Sequence, residues 1–338
     1  MIDETQLAAY RAAREAAAFA DISDWGWVRL AGRDRLDLLH RLSTNDLKRL
    51  PPGHGALTVF TNATARVMAV LTVYAGESDV YLRTMPGQGA GVTRYLNSMI
   101  FWQDRVEVAD LTSATSQFAL YGPGAAAVLE SLVTQDLDTI AAYGWRAVEI
   151  AGQRALVFRG GPLEVPAWFL AAAPDAPPAI LEALAPAAVP IDAATADILR
   201  IEAGLPLWGR ELIEQVTPLE TGLLGAIDFN KGCYTGQEII ARQTNYDKVT
   251  RNLVGLEFEL SPDSPLLAEG GAGGEVWAQV RGPGRGGFVG SVAYSPALDR
   301  VIGLAVVPRE LAQPGAEVEV TRADQTLKAT VRGLPFVQ

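Results

Sequence analysis

The chain has 338 residues, with 39 acidic side chains against 28 basic ones, a formal charge of −11 and 49% apolar residues. That length allows two or three domains with a large core. The acidity argues against a general nucleic-acid surface, which needs clustered Lys and Arg, and no apolar run reaches the roughly 18 residues that span a bilayer. Cys233 is the one cysteine. It excludes an internal disulfide, and it cannot hold a four-cysteine cluster or a zinc site by itself. A reducing, cytoplasmic setting fits. With two histidines, His40 and His54, histidine-centred catalysis has few places to sit. Met1 to Phe19 is Ala-rich but carries Asp3, Glu4, Arg11, Arg14 and Glu15, so no signal peptide is expected.

The pattern predicts one helix over 3–19, then a short strand from Trp25 to Leu30 closed by Ala31-Gly32. Asp34 is placed to cap a helix with Leu38, Leu39 and Leu42 on one side. Strands follow at Leu57–Thr61, Arg66–Tyr74 and Val80–Met85, with turns at 62–65 and 76–79. A helix near 88–99 and a strand near 105–109 complete a unit assigned to 1–114.

A second unit, 115–250, repeats the first. Phe118-Ala119-Leu120-Tyr121-Gly122 mirrors Val28-Arg29-Leu30-Ala31-Gly32, and Val128, Leu129 and Leu132 mirror Leu38, Leu39 and Leu42 at the same offset. Strands are predicted at 145–150, 154–159 and 166–172, and a helix near 178–185. Two packed α+β units of this kind leave a cleft between them. Asp192 caps a clear helix, Ala193 to Ala203, stopped by Gly204 and Pro206. From 251 to 338 the texture is short strands parted by Gly- and Pro-rich turns, at 253–260, 275–281, 288–294, 301–307, 317–321 and 326–331. That is the pattern of a small barrel or sandwich.

The densest stretch is Lys231-Gly232-Cys233-Tyr234-Thr235-Gly236-Gln237-Glu238. Two glycines flank a sulfur, with a cation before it and an amide and a carboxylate after it. Glu202 is the other anomaly. It sits in the last turn of a helix, where the dipole disfavours a carboxylate, so a partner is expected: Arg200, Arg210, solvent or a ligand.

Lys-Gly-Cys-Tyr-x-Gly-Gln-Glu resembles the signature of the YgfZ family, folate-binding proteins linked to iron–sulfur cluster maintenance and related to the glycine-cleavage T-protein, a tetrahydrofolate-dependent aminomethyltransferase. The resemblance implies two ferredoxin-like α+β units forming a pseudo-symmetric folate-binding body, closed by a C-terminal antiparallel β-barrel. Arg200-Ile201-Glu202-Ala203-Gly204 with Trp208-Gly209-Arg210-Glu211 is similar to the T-protein segment Arg-x-Glu-x-Gly…Tyr-Gly-x-Glu. It implies that Glu202 holds a pterin through a two-point, charge-assisted contact and that Trp208 walls the ring, unless it packs in the core. The resemblance further implies that Tyr234, Gly236, Gln237 and Glu238 bind the cofactor beside the reactive Cys233 and Lys231. Arg242 is then expected at the mouth for the folate tail, with Arg66 and Arg210 as weaker candidates.

One departure stands out. T-proteins carry adjacent aspartates in a segment like Asn-x-x-Gly-Gly-x-x-Asp-Asp-Leu, and Ala69 and Val70 occupy those positions here. Neither can take a proton or steady a cation, which disfavours aminomethyl transfer. The expected function is therefore a cytoplasmic tetrahydrofolate-binding accessory protein for iron–sulfur cluster assembly or repair, acting through the Cys233 loop. Its expected partners are cluster proteins or a cluster-dependent tRNA-thiolation enzyme. An aminomethyltransferase or related demethylase, and an interaction module with a relic pocket, are the alternatives. Cys233 itself is left as a buried structural cysteine, a ligand to a shared cluster, or a redox thiol.

Overall fold

A computed structural model of the chain describes residues 2–268, 276–282, 286–322 and 325–337. Asp3 caps the first helix, α1 (Glu4–Glu15), by accepting from Gln6 N at 2.7 Å. The helix stops well short of Phe19, and β1 (Ala18–Asp21) follows. The Ala-rich run is compatible with either state, and strand pairing decides: β1 lies between two other strands of a sheet.

The first sheet has the order β3-β4-β5-β2-β6, from β2 (Trp25–Ala31), β3 (Gly55–Thr61), β4 (Val67–Ala75), β5 (Asp79–Pro86) and β6 (Glu107–Asp110). Helices α2 (Arg35–Leu42) and α3 (Gly89–Ser98) cover its outer face, burying Leu38, Leu39, Val92 and Leu96 against Val28, Leu30 and Leu82. Asp34 does not cap α2. Its carboxylate accepts from Arg105 N at 2.9 Å and ties the helix start to the approach to β6.

The second unit repeats the path with β7 (Ser116–Tyr121), α4 (Ala125–Leu132), β8 (Trp145–Ile150), β9 (Gln153–Arg159), β10 (Trp168–Ala172), α5 (Pro177–Leu184) and β11 (Val189–Pro190). Gly32 and Gly122 end β2 and β7 with φ of +98° and +90°. At each, an added Cβ would strike a backbone carbonyl, of Arg105 at 2.1 Å and of Ala16 at 2.5 Å, so the repeat includes the same glycine-dependent turn. The second sheet runs β11-β1-β7-β10-β9-β8. β1 pairs antiparallel with β7, Phe19 opposite Leu120, and parallel with β11. The N-terminal strand therefore joins the sheet of the second unit.

The two sheets face each other across an aromatic layer. Trp27, Tyr74 and Tyr81 from the first meet Trp145 and Phe158 from the second, with centroids 5.3 Å apart for Trp27–Phe158 and 4.4 Å for Tyr74–Phe158. Each such pair adds about 0.5–1.5 kcal/mol beyond its burial. Helix α6 (Ala193–Glu202), capped by Asp192 onto Thr195 N, packs on α1 and turns Ile201 against Ile302 and Leu304 of the C-terminal body. Helix α7 (Gln237–Asn245) precedes that body.

The C-terminal body is a closed antiparallel barrel in the order β12-β15-β14-β13-β16-β17. Its strands are β12 (Arg251–Phe258), β13 (Ala278–Val280), β14 (Gly287–Ser295), β15 (Arg300–Pro308), β16 (Glu317–Arg322) and β17 (Gln325–Arg332). The predicted strand over 275–281 begins at a position, Glu275, outside the described residues. Phe288 and Val306 also dock on Val59, Val67 and Val70 of the first unit, so the barrel touches both halves. The fold is thus mixed α+β with a closed barrel.

Phe158→Ala removes the ring shared by both sheets. It is expected to cost about 3–5 kcal/mol, read as a lower midpoint in urea unfolding.

Candidate functional site

A cavity of about 220 Å³ lies between the sheets. Its walls are β4 and β5 of the first unit, residues 163–169 of the second, and α6 with the segment 205–207. It is predominantly apolar with a few polar groups, the makeup of a small-molecule site.

Arg83 is the main polar feature. It is 3% exposed and lies opposite Thr72 in the β4–β5 ladder. Its Nη2 donates to Glu164 Oε1, and its guanidinium lies 3.3 Å over the Phe169 ring. Glu164 also accepts from Thr72 Oγ1 at 3.1 Å and from Gly161 N at 2.9 Å. Arg83 Nη1 is buried with no hydrogen-bond partner among the described residues. Tyr143 stands near this pair, and its phenol is pushed up to about 12, mainly by burial and then by Glu164.

Ala193, Ala196, Asp197 and Arg200 present one face of α6 to the cavity, the i, i+3, i+4, i+7 stripe of a helix side. Asp197 Oδ1 accepts from Arg200 at 2.7 Å. Arg200 also donates to Leu205 O, Ser291 Oγ and Glu211 Oε2. Burial works against the charge on Arg200, but Asp197 and Glu211 outweigh it and hold its pKa above the ordinary arginine value. Burial pushes Glu211 up, and Arg200 only partly offsets that. This cluster fixes the 205–211 segment as a cavity wall.

Glu202, expected from the resemblance to hold a pterin, does not line this cavity. It follows Asp197 by five residues, a rotation of about 140° around the helix, and so faces α1 and the barrel. Its carboxylate is 1% exposed. It accepts from Tyr10 Oη at 2.8 and 2.9 Å, Arg14 Nη1 at 2.9 Å and Ser295 Oγ at 2.5 Å. Burial, then Glu202, pushes the Tyr10 phenol well above its usual range. The partner that the dipole argument required is this set of three donors, Tyr10, Arg14 and Ser295.

The Lys231–Glu238 stretch is anchored to the first unit. Lys231 Nζ donates to the carbonyls of His40, Ser43 at 2.6 Å and Asn45 at 2.9 Å. An ammonium has three hydrogens, and here each meets a carbonyl at the end of α2, so Lys231 does not act on the thiol. Burial lowers its pKa to about 8 against the pull of Asp46 and Asp228. The ammonium lies 5.1 Å over the Tyr234 ring, whose phenol burial pushes up to about 12. Gly236 has φ +85°, and a Cβ there would sit 2.7 Å from Asn62 O. Thr61 Oγ1 donates to Thr235 O at 2.5 Å. Gly232 has open space around it, so only the second glycine is sterically required. Gln237 reaches back to Lys231 O at 3.4 Å. The anchored loop leaves Cys233 exposed, which removes the buried structural role.

None of Lys231, Cys233, Tyr234, Gly236, Gln237, Glu238 or Arg242 lines the cavity. Glu238 and Arg242 are exposed on α7. Arg66 donates to Gln215 O at 2.7 Å and pairs with Glu220, which Arg251 holds from its other side. Trp208 lines a separate open cleft with Gln215, Arg251 and Phe288, and its backbone N–H donates to the sulfur of Met85, a cavity residue, at 3.2 Å. Arg210 lines neither the cavity nor that cleft. Among the described residues no group of three or more His, Cys, Asp or Glu gathers to hold a metal, and no helix is long and apolar enough to cross a membrane.

Of the two positions that lack an acid, Ala69 packs into the core under α2 and α3, while Val70 lines the cavity on the same side of β4 as Thr72. The period of two along a strand separates them.

Residues 2–231 match the profile of the GCVT N-terminal domain, and residues 251–338 match that of the glycine cleavage T-protein C-terminal barrel domain. Similar proteins include an aminomethyltransferase of Geobacillus kaustophilus, 32% identical over 97% of this chain and 89% of its own. Another is an aminomethyltransferase of Moorella thermoacetica, 33% identical over 96% and 87%. The glycine cleavage system aminomethyltransferase T of Bartonella henselae superposes with a TM-score of 0.83 at 22% identity, covering 98% of this chain and 89% of that one. That likeness fixes the fold.

Glu202→Ala is expected to destabilise the protein by about 2–4 kcal/mol, because it orphans buried donors, while ligand affinity of the folded protein stays unchanged. Urea unfolding with parallel calorimetry checks both. Gly236→Ala should cost about 1–3 kcal/mol through its left-handed backbone, whereas Gly232→Ala should stay within about 0.5 kcal/mol of the parent. Equal melting shifts for the two would refute the docking of this loop.

Proposed function

The chain belongs to the glycine-cleavage T-protein family, and from that premise we propose that it binds tetrahydrofolate without transferring an aminomethyl group, and serves iron–sulfur cluster assembly or repair through the Cys233 loop. Aminomethyltransferases of this family use tetrahydrofolate. The observation that carries the reading is Val70. It lines the cavity at the position where the T-protein pattern has an aspartate, and an isopropyl group cannot steady an iminium or accept a proton. Of the carboxylates that line the cavity, Glu164 is committed to Arg83, Thr72 and Gly161, Asp197 is paired with Arg200, and Asp21 and Asp24 are exposed, with Asp21 accepting from Ser23 N.

The cavity suits the pterin end of a folate. Phe169, Trp25, Val70 and Met85 supply apolar walls, Arg83 Nη1 an unused donor and Asp197 a carboxylate. Bound folate would supply the one-carbon carrier chemistry; the chain's residues would hold and orient it. The Cys233 thiol, exposed on a loop pinned by Lys231 and Gly236, is presented to a partner rather than to the cavity. The YgfZ-like motif supports a cluster protein, or a cluster-dependent tRNA-modifying enzyme, as that partner. The second reading, aminomethyl transfer, is favoured by relatives of that name at about one-third identity along the whole chain.

With tetrahydrofolate, an aminomethyl-loaded lipoyl carrier protein and this chain, calorimetry should show folate binding while no methylene-tetrahydrofolate forms above the carrier-only background. Formation of that product would establish the second reading. Cys233→Ser should leave melting and folate affinity unchanged yet fail to restore cluster-enzyme activity in cells lacking the protein; full restoration would remove the sulfur from the mechanism.

A further inference from the structure

The geometry points to Arg83 Nη1 as the donor that orients the ligand in the cavity, and to a neutral ring carbonyl on a flat heterocycle as the acceptor it meets. This rests on the folate reading above and adds the contact that sets which edge of the ring enters first.

A buried guanidinium nitrogen without an acceptor is costly, and a protein retains one where something else completes it. Arg83 cannot complete it internally. Its Nη2 is committed to Glu164, and its guanidinium carbon lies 3.3 Å from the centroid of the Phe169 ring. Glu164 cannot swing across, since Oε1 serves Arg83 and Thr72 while Oε2 accepts from Gly161 N. Trp25, Val70, Met85 and Phe169 offer no strong side-chain acceptor, and none of the other carboxylates that line the cavity, Asp21, Asp24 and Asp197, bonds Nη1. The acceptor must therefore arrive with the ligand.

Its charge follows from the same pair. Glu164 already balances the Arg83 cation, so a carboxylate placed on Nη1 would sit beside a second carboxylate in an enclosed apolar space, a like-charge contact. A carbonyl takes the hydrogen bond without adding charge. A flat ligand lying against the apolar walls Trp25, Val70 and Met85 carries its carbonyl on its edge, where a buried donor among those walls can reach it. A pterin has such a group at its 4-position. Strand pattern supports a ligand role as well: Thr72 sits opposite Arg83, and Val70 is two residues away on the same face of β4, so the cavity wall that lacks an acid carries a donor at the next position on that face.

Calorimetry with 5-formyltetrahydrofolate and with its 4-amino-4-deoxy analogue, in which the carbonyl becomes an amine, tests this. The wild-type chain should bind the 4-oxo compound about 10- to 100-fold more tightly. The double variant Arg83→Met/Glu164→Leu, which removes the pair together and leaves no lone buried charge, should bind both within about threefold of each other. Arg83→Lys, which keeps the ion pair but has no second nitrogen at the η position, should lose the discrimination likewise and covers the case where the double variant does not fold. Equal binding of both compounds by the wild type, or discrimination retained in either variant, overturns the role of Arg83 and leaves the folate reading standing. Binding of neither compound by the wild type overturns both.

Discussion

The ion pair between Arg83 and Glu164 is where the two halves of the body commit to each other. One partner comes from the middle of the first sheet and the other from the turn between β9 and β10 of the second. A buried pair is weak evidence for stability, since desolvation offsets much of the attraction, but it is strongly specific, because losing either partner strands a charge. Here it does two things at once. It sets the approach of the sheets at one end of the aromatic layer, and it places a donor inside the space that the approach encloses.

A second buried carboxylate plays a comparable part at the other side of α6. Glu202 gathers α1, α6 and the barrel through its side chain, and its backbone carbonyl accepts from Phe336 N near the end of the chain. The family pattern Arg-x-Glu-x-Gly is thus served at both letters by structure. Arg200 organises the cavity wall, and Glu202 the junction of three bodies. The helix carries the boundary between the two roles along its own circumference.

Much of the architecture was legible in the residues. The strand–Gly–helix repeat, the α6 cap and the six barrel strands follow from local pattern, because amphipathic period and turn chemistry act over a few residues. The N-terminal strand was not legible, since its partners lie about a hundred residues away and an Ala-rich run has no preference of its own. Arg83 was missed for a related reason. In an alternating strand it resembles a solvated surface cation, and only the second sheet covering that face makes it buried. The stripe Ala193, Ala196, Asp197, Arg200 was the signal that could have placed the site, whereas the helix-dipole argument identified Glu202 as needing a partner without revealing Tyr10, Arg14 and Ser295, which come from distant segments. The cysteine motif was found as a unit; what it is built around, the carbonyls at the end of α2, is invisible in one dimension.

The position of β1 bears on how such a molecule is made. Phe19 is paired with Leu120, and α1 rests on α6, nearly two hundred residues downstream. A ribosome delivers the first twenty residues long before either neighbour exists. The first sheet can close without them, since none of its strands needs β1, but the seam of the second must wait for the opening segment to return to it. The nascent chain therefore carries an apolar strand in search of its edge for most of its synthesis, the condition under which long-range pairing is slow and exposed to misassembly.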